Sequence, residues 1–378
     1  MKILHDFQIF FIQRYGGVSR YHAELVRGLK GLGEDAEIFV RFPVNQYYHD
    51  AAKTSGVYRK IAKRLVMSRF NRALYRSNQK KTLARIRRKK YDIVHLTWTD
   101  PYLFDEEKCG SRIIVTVHDM IHELIMEKTD EICEEIEKKK RAIYESDGII
   151  AISENTKADV LKLYPDIDPG KIRVIYHGTN RLSKPVENAE IKALGRYVLF
   201  VGMRAGYKRG MWFLREIAPL LERHDLKLLF AGGGSFTPEE EKEISECGLR
   251  ELILQLDLSD GELAYAYKNA VCFVYPTLYE GFGFPILEAF DNGCPVVCCN
   301  SSSLPEVGGN AALYFDTEDA ESMRGIVRTL CNDAEKRNDC IIKGSERVRQ
   351  FTWEKTAQET LIFYDEIMKG ITDERDIT

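Results

Sequence analysis

The chain lacks any apolar run approaching the ~20 residues that a membrane-spanning helix needs. Its start, MKILHDFQIFF, is too short and too polar for a secretory leader. The nine cysteines make an odd number and contain no C-x-x-C pair, so they read as buried or idle thiols in a reducing compartment. Strong charge of either sign is also missing: a net charge of -3 gives no reason to expect nucleic acid as a partner. These absences point to a cytoplasmic protein. What is present is ordinary globular material, 44% apolar and 30% charged, and 378 residues suffice for two domains with separate cores.

Residues 1–180 alternate strand-like and helix-like patterns. The strand-like runs are Ile3–Phe11, Ala36–Val40, Ile93–Leu96, Ile113–Val117, Gly148–Ile152 and Ile172–Tyr176. Helical patterns cover Val18–Leu32, Glu131–Glu145 and Glu154–Tyr164. Such alternation predicts βαβ units on a parallel sheet. Residues 181–195 are polar and without apolar period, and read as a linker. A second alternating series then runs through 196–354, so two doubly wound domains around a cleft are expected.

The most informative stretch is Cys272 to Glu306, CFVYPTLYEGFGFPILEAFDNGCPVVCCNSSSLPE. A buried strand, Cys272–Tyr275, leads into a loop with Gly281 and Gly283. A helix follows from Pro285 to Asn292, and Gly293 ends it. Cys294–Cys299 is the next strand. The loop would lie at the carboxyl end of a parallel sheet, where open α/β folds bind ligands. Its glycines and helix N-terminus offer N–H groups to an anion such as a diphosphate. Glu280 and Glu288 can accept sugar or ribose hydroxyls, although a glutamate in a first helical turn is also a plain dipole partner.

Other candidates carry two readings each. Gly16-Gly17 opens a helix and can bind phosphate or make a tight turn. His118-Asp119, at the end of a strand, is a ligand group or a hydrogen-bonded pair. With His122 they offer too few ligands for a metal centre. Arg204 and Lys208 follow the strand Tyr197–Val201 and are either solvated surface charge or a diphosphate clamp, with Arg209 as a substitute partner. Gly232-Gly233-Gly234 reads, on its residues alone, as a flexible turn. Asp166-Ile167-Asp168 stands between two prolines and reads as a structural turn.

The run E-G-F-G-F-P-I-L-E-A, with G-C-P-V-V and S-L-P-E-V after it, resembles the E-x7-E region of retaining glycosyltransferases of family 4. That resemblance covers nearly the whole chain and is weakest between Val44 and Lys90. It implies the GT-B fold: two Rossmann-like domains, with a C-terminal helix (355–378) returning to the N-terminal domain. Y-G-G-V-S-R-Y resembles the family's first glycine loop, T-V-H-D its histidine loop, and V-G-M-R-A-G-Y-K-R-G its basic phosphate loop. Many members carry arginine where this chain has Met203, so Lys208 transfers more firmly than Arg204. The implied catalytic set is His118, Arg204, Lys208 and Glu280. The implied donor contacts are Gly16, Gly17, Gly233, Leu258, Gly281, Phe282, Gly283, Phe284 and Glu288.

The resemblance further implies transfer of a hexose, with mannose the common case, from a GDP- or UDP-linked donor. No cofactor or metal is expected, and the acceptor would be a glycan or polyprenyl-linked glycan of the cell envelope. The rival readings are a GT-B nucleotide-sugar 2-epimerase and a non-catalytic nucleotide-sugar or membrane-binding module. From Arg59 to Lys90 there is no Asp or Glu but many basic residues, Lys60, Lys63, Arg64 and Arg69 among them. Ile61, Leu65, Phe70 and Leu74 fall near one helical face, so a basic amphipathic helix on an anionic membrane surface is expected, against the plainer reading of a solvated helix. That would place the protein at the inner face of the plasma membrane.

Overall fold

Twelve strands form two six-stranded, wholly parallel sheets in the computed structural model, which describes residues 1–105, 110–179 and 184–375. The chain divides into two units. Unit 1 is Met1–Gly178 with Thr352–Thr378, and unit 2 is Thr179–Phe351.

Unit 1 carries β1 (Lys2–His5), β2 (Asp35–Ile38), β3 (Ile93–Leu96), β4 (Arg112–Val117), β5 (Gly148–Ala151) and β6 (Ile172–Val174), in the order β2-β1-β3-β4-β5-β6. Alternation explains its two layers. Leu4, Val94, Val115 and Ile149 pack into one core, and their neighbours Ile3, Ile93, Ile114 and Ile150 into another. Successive strand residues point to opposite faces. The second core also takes Tyr21, Leu25 and Leu29 from the helix Gly17–Gly31, and Trp353, Ala357, Phe363 and Tyr364 from the C-terminal helix Trp353–Arg375. The two helices approach closely: a Cβ on Gly28 would lie 2.6 Å from the Ala357 methyl. The C-terminal helix therefore belongs to unit 1, as the GT-B expectation has it.

Unit 2 carries β7 (Tyr197–Val201), β8 (Lys227–Ala231), β9 (Ile253–Leu256), β10 (Cys272–Tyr275), β11 (Val296–Cys299) and β12 (Leu313–Phe315), in the order β12-β11-β10-β7-β8-β9. After β7 the chain adds β8 and β9 on one side, then crosses to β10 on the other. Reversal between β7 and β10 leaves a crevice at their carboxyl ends, the place where such sheets bind ligands.

Three expectations need correction. Ile3–Phe11 is not one strand: β1 stops at His5, and Gln8–Ile12 is a buried helix. A short apolar run does not distinguish the two by period, and the break falls at Asp6, whose carboxylate accepts the Thr97 amide at 2.8 Å. Part of the expected linker 181–195 is helical. Residues 180–183 lie outside the described residues, but Ala189–Leu194 is a helix capped by Asn188 with Ile191 buried. The basic stretch is two helices, Gly56–Val66 and Asn71–Lys89, so Ile61, Leu65, Phe70 and Leu74 do not share one helix.

Candidate active site

The loops after β7, β8, β10 and β11 carry most of the candidate residues of unit 2. Lys208 follows β7 and forms an ion pair with Glu280, which follows β10. The pair therefore sits at the switch point itself. Lys208 Nζ also donates to the Tyr275 hydroxyl at 3.2 Å and lies over the Tyr275 ring. Burial pushes the Tyr275 hydroxyl well above its ordinary range, and the Glu280 carboxylate adds to this, so it stays a neutral phenol. The β10 loop is tied to the β7 loop a second time, through the Leu278 amide and the Tyr207 carbonyl at 2.9 Å.

Gly283 caps the helix Phe284–Asp291 at φ +96°, a conformation natural to glycine. Pro285 is the second helical residue, where its missing N–H costs nothing. Glu288 stands just beyond the first turn, which contains no acid, so the plain dipole reading does not apply to it. It lies against Tyr267, whose hydroxyl is pushed well up by burial first and by Glu288 second. Phe282 is buried against Phe284 and Phe351, with ring centroids at 5.4 and 5.8 Å, so its side chain is committed to the core. Gly281 is half-buried beside it, and Leu258 is half-buried between β9 and the next helix.

Arg204 is engaged within unit 2. Its guanidinium is buried and binds Glu240 through Nε and Nη2, both at 2.9 Å. The remaining N–H groups donate to the carbonyls of Gly232, Gly234 and Ser235 at 3.1–3.2 Å. Gly232, Gly233 and Gly234 all have φ between +70 and +81°, and a Cβ on Gly233 would lie 2.9 Å from Arg204 Nη1. The arginine thus props the glycine turn. Arg209 stacks on Trp212 at 3.8 Å and donates to the Thr317 carbonyl. Arg204→Met is expected to lower unit 2 stability by about 3 kcal/mol, the scale of breaking a buried pair. A thermal melt within 1–2 °C of wild type would refute the propping role.

In unit 1, His118 directly follows β4, with its Nε2 buried and unpartnered. Burial pushes its imidazole down to about 4, so it is neutral at physiological pH. Asp119 does not orient it; its carboxylate accepts the Ile121 amide at 3.1 Å. The loop is instead pinned by Lys139, a buried cation that donates to the Asp119 carbonyl at 3.2 Å and pairs with Glu123 at 2.9 Å. Gly16 is extended at φ 161°, and a Cβ there would meet the Gln13 side chain. Gln13 already accepts the Ser19 amide at 3.2 Å, so part of the helix N-terminus beginning at Gly17 is in use. Asp168 caps a turn through the Gly170 amide at 2.9 Å, in keeping with its structural reading.

The residue pattern gave no hint of one cluster. His5, His22, His95, His118 and His177 gather around Tyr21, with neighbouring rings 4.6–5.9 Å apart. His5, His22 and His95 bring ring nitrogens within 4.8 Å of one another, a spacing three metal ligands could use. However, both nitrogens of His95 already meet hydroxyls, Tyr364 at 2.6 Å and Thr116 at 2.7 Å. The group contains no carboxylate to offset a buried dication. It reads as a neutral, packed core.

Comparison with known proteins completes the site. Residues 15–181 match the family described as Glycosyltransferase Family 4, and residues 186–347 match Glycosyl transferases group 1. Between them the two matches take in most of the chain. The chain belongs to the family-4 glycosyltransferases. It is 34% identical over 172 residues to O-antigen chain mannosyltransferase B of Escherichia coli, a match covering 44% of this chain and only 45% of that protein. It is 24% identical over 305 residues to MMP alpha-(1->4)-mannosyltransferase of Mycolicibacterium hassiacum, covering 75% and 73%. Sucrose-phosphate synthase from Thermosynechococcus elongatus superposes with a TM-score of 0.74 at 18% identity, over 97% and 99% of the two chains. Anabaena HepE with UDP and glucose gives 0.69 at 14%, over 97% and 99%. These likenesses show the GT-B fold of this family-4 glycosyltransferase.

Proposed function

We propose that this glycosyltransferase moves a hexose, mannose in the first instance, from a GDP- or UDP-linked donor to a glycan or polyprenyl-linked acceptor of cell-envelope polysaccharide. The observation that carries the reading is the Lys208–Glu280 pair at the β7/β10 switch point. Mannose is favoured by two relatives whose names are mannosyltransferases, and a UDP-linked donor by the UDP bound in HepE.

In this reading Lys208 and the amides at the N-terminus of Phe284–Asp291 meet the charge that develops on the leaving diphosphate. Glu280 accepts hydroxyls of the sugar and Glu288 those of the ribose. The unpartnered Nε2 of His118 suits a further sugar hydroxyl. The bond from the anomeric carbon to phosphate breaks, the bond to the acceptor oxygen forms on the same face, and the acceptor proton passes to the departing phosphate. Configuration is retained without a carboxylate nucleophile or a metal.

The test is incubation with GDP-mannose, UDP-glucose and related donors, with and without short glycan acceptors. Transfer with retained anomeric configuration by proton NMR, undiminished by EDTA, is expected. Donor conversion without acceptor would favour an epimerase, and binding without turnover a non-catalytic module.

The same reading gives the enzyme an anionic membrane surface as a partner. Lys60, Lys63 and Arg64 are exposed on the helix Gly56–Val66 beside Val57 and Ile61, followed by exposed Arg69 and Phe70. Lys63→Glu with Arg64→Glu is expected to weaken sedimentation with phosphatidylglycerol vesicles at least tenfold, each basic residue near such a surface contributing ~1 kcal/mol. Equal binding to neutral vesicles would remove the proposal.

A further inference from the structure

Glu280 is held by a device outside its own loop. Its amide donates to Ser302 Oγ at 3.0 Å, and Ser303 Oγ donates to its carbonyl at 2.8 Å. A third serine, Ser301, donates to the carbonyl of Thr277 at 3.2 Å, earlier in the same loop. All three belong to the segment after β11, which pairs with β10. Both main-chain polar groups of Glu280 are therefore satisfied by side chains from the neighbouring strand's loop.

Two features show that this arrangement is held against local preference. Ser302 has φ +48°, a left-handed conformation that L-residues other than Asn and Asp adopt at a cost. In extended chain, successive side chains point to opposite faces. The left-handed Ser302, followed by helical Ser303, brings two consecutive hydroxyls onto one residue. Ser303 also stands at the N-cap of Leu304–Gly308, where a serine ordinarily accepts an amide of its own helix. Here it makes no such bond, and the hydroxyl goes to Glu280 instead. Because Ser303 is fully buried, it cannot itself reach a ligand.

We infer that Ser302 and Ser303 are positioning residues, whose hydroxyls set where the Glu280 carboxylate stands relative to Lys208. The inference rests on the proposed function, in which that carboxylate holds the sugar in the geometry of transfer. Errors of about 1 Å there cost on the order of 10²-fold in rate, so turnover should suffer more than nucleotide binding.

The test uses Ser302→Gly and Ser303→Ala in the full chain. Glycine relieves the left-handed strain while deleting the hydroxyl, so stability should be held or raised as kcat falls. A kcat at least tenfold lower in both variants, with the Kd for the nucleoside diphosphate unchanged and the melting temperature of Ser302→Gly not lowered, is the expected result. In a Glu280→Ala background, neither serine change should lower kcat further. Wild-type kcat in both serine variants overturns the inference and leaves the proposed function standing. A wild type inactive on every donor overturns the proposed function instead. Crystal structures of the variants then decide the serines' role: the Lys208–Glu280 contact should be lost or displaced, and an unmoved contact refutes it.

Discussion

Replacing Lys208 with alanine is expected to lower turnover by about 10²–10³-fold, the usual cost of removing one preorganised group aimed at developing charge. The change removes the cation assigned to the leaving diphosphate. It also strips Glu280 of its partner in a site where both side chains are largely buried. Of the three cations after β7, Arg204 donates to the glycine turn and Arg209 to the β12 side of the sheet, whereas Lys208 pairs with Glu280. Lys208→Arg should restore only part of the rate, since a planar fork does not reproduce a point charge seated against Tyr275. Steady-state kinetics with a saturating acceptor would measure this, with circular dichroism as the folding control. A folded Lys208→Ala protein within threefold of wild type would remove Lys208 from the mechanism.

Acid should unfold unit 1 through its histidines. Burial pushes His5 down to about 3 and His118 to about 4, and holds His22, His95 and His177 well below the ordinary 6.5. In the unfolded chain these imidazoles bind protons near pH 6.5, whereas the folded state resists them until far lower pH. Between those limits the unfolded state binds more protons, so stability is complete above about pH 6.5 and is lost as pH falls. Each such group contributes a limiting slope of about 1.4 kcal/mol per pH unit. Even half the combined slope would use up a domain stability of 5–15 kcal/mol within a few pH units.

Asp6 works the other way. Burial raises its carboxyl to about 6, so the folded state takes up that proton first and offsets about one histidine between pH 6 and 4. Urea midpoints should fall steeply from pH 7 to 5, and less steeply in His22→Gln. A flat profile would mean that the cluster is not neutral and buried in solution.

Much of the fold was legible because the signals are local. Short, near-continuous apolar runs placed β3, β7 and β10 to the residue. They did so because strands covered on both faces have no polar alternation to confuse them. The same locality set the limits. Ile3–Phe11 was apolar enough for one strand, and only the Asp6–Thr97 bond, made 91 residues away, shows why the strand stops. Arg204 looked like a phosphate ligand because it is basic and follows a strand. Its partners are carbonyls and a carboxylate 28–36 residues further on, beyond the reach of any local pattern. The histidine cluster left no motif at all, being assembled from β1, β3, the end of β4, the helix Gly17–Gly31 and the segment after β6.

By itself, then, the sequence determined the family, the parallel α/β elements and the two loops that hold Lys208 and Glu280, because glycines, turn residues and apolar periods act on nearest neighbours in the chain. Tertiary structure alone decided which cation pairs with Glu280, which hydroxyls bond its main chain, and that five imidazoles are neutral. Those outcomes depend on burial and on partners brought together by strand order, and strand order is a property of the folded sheet.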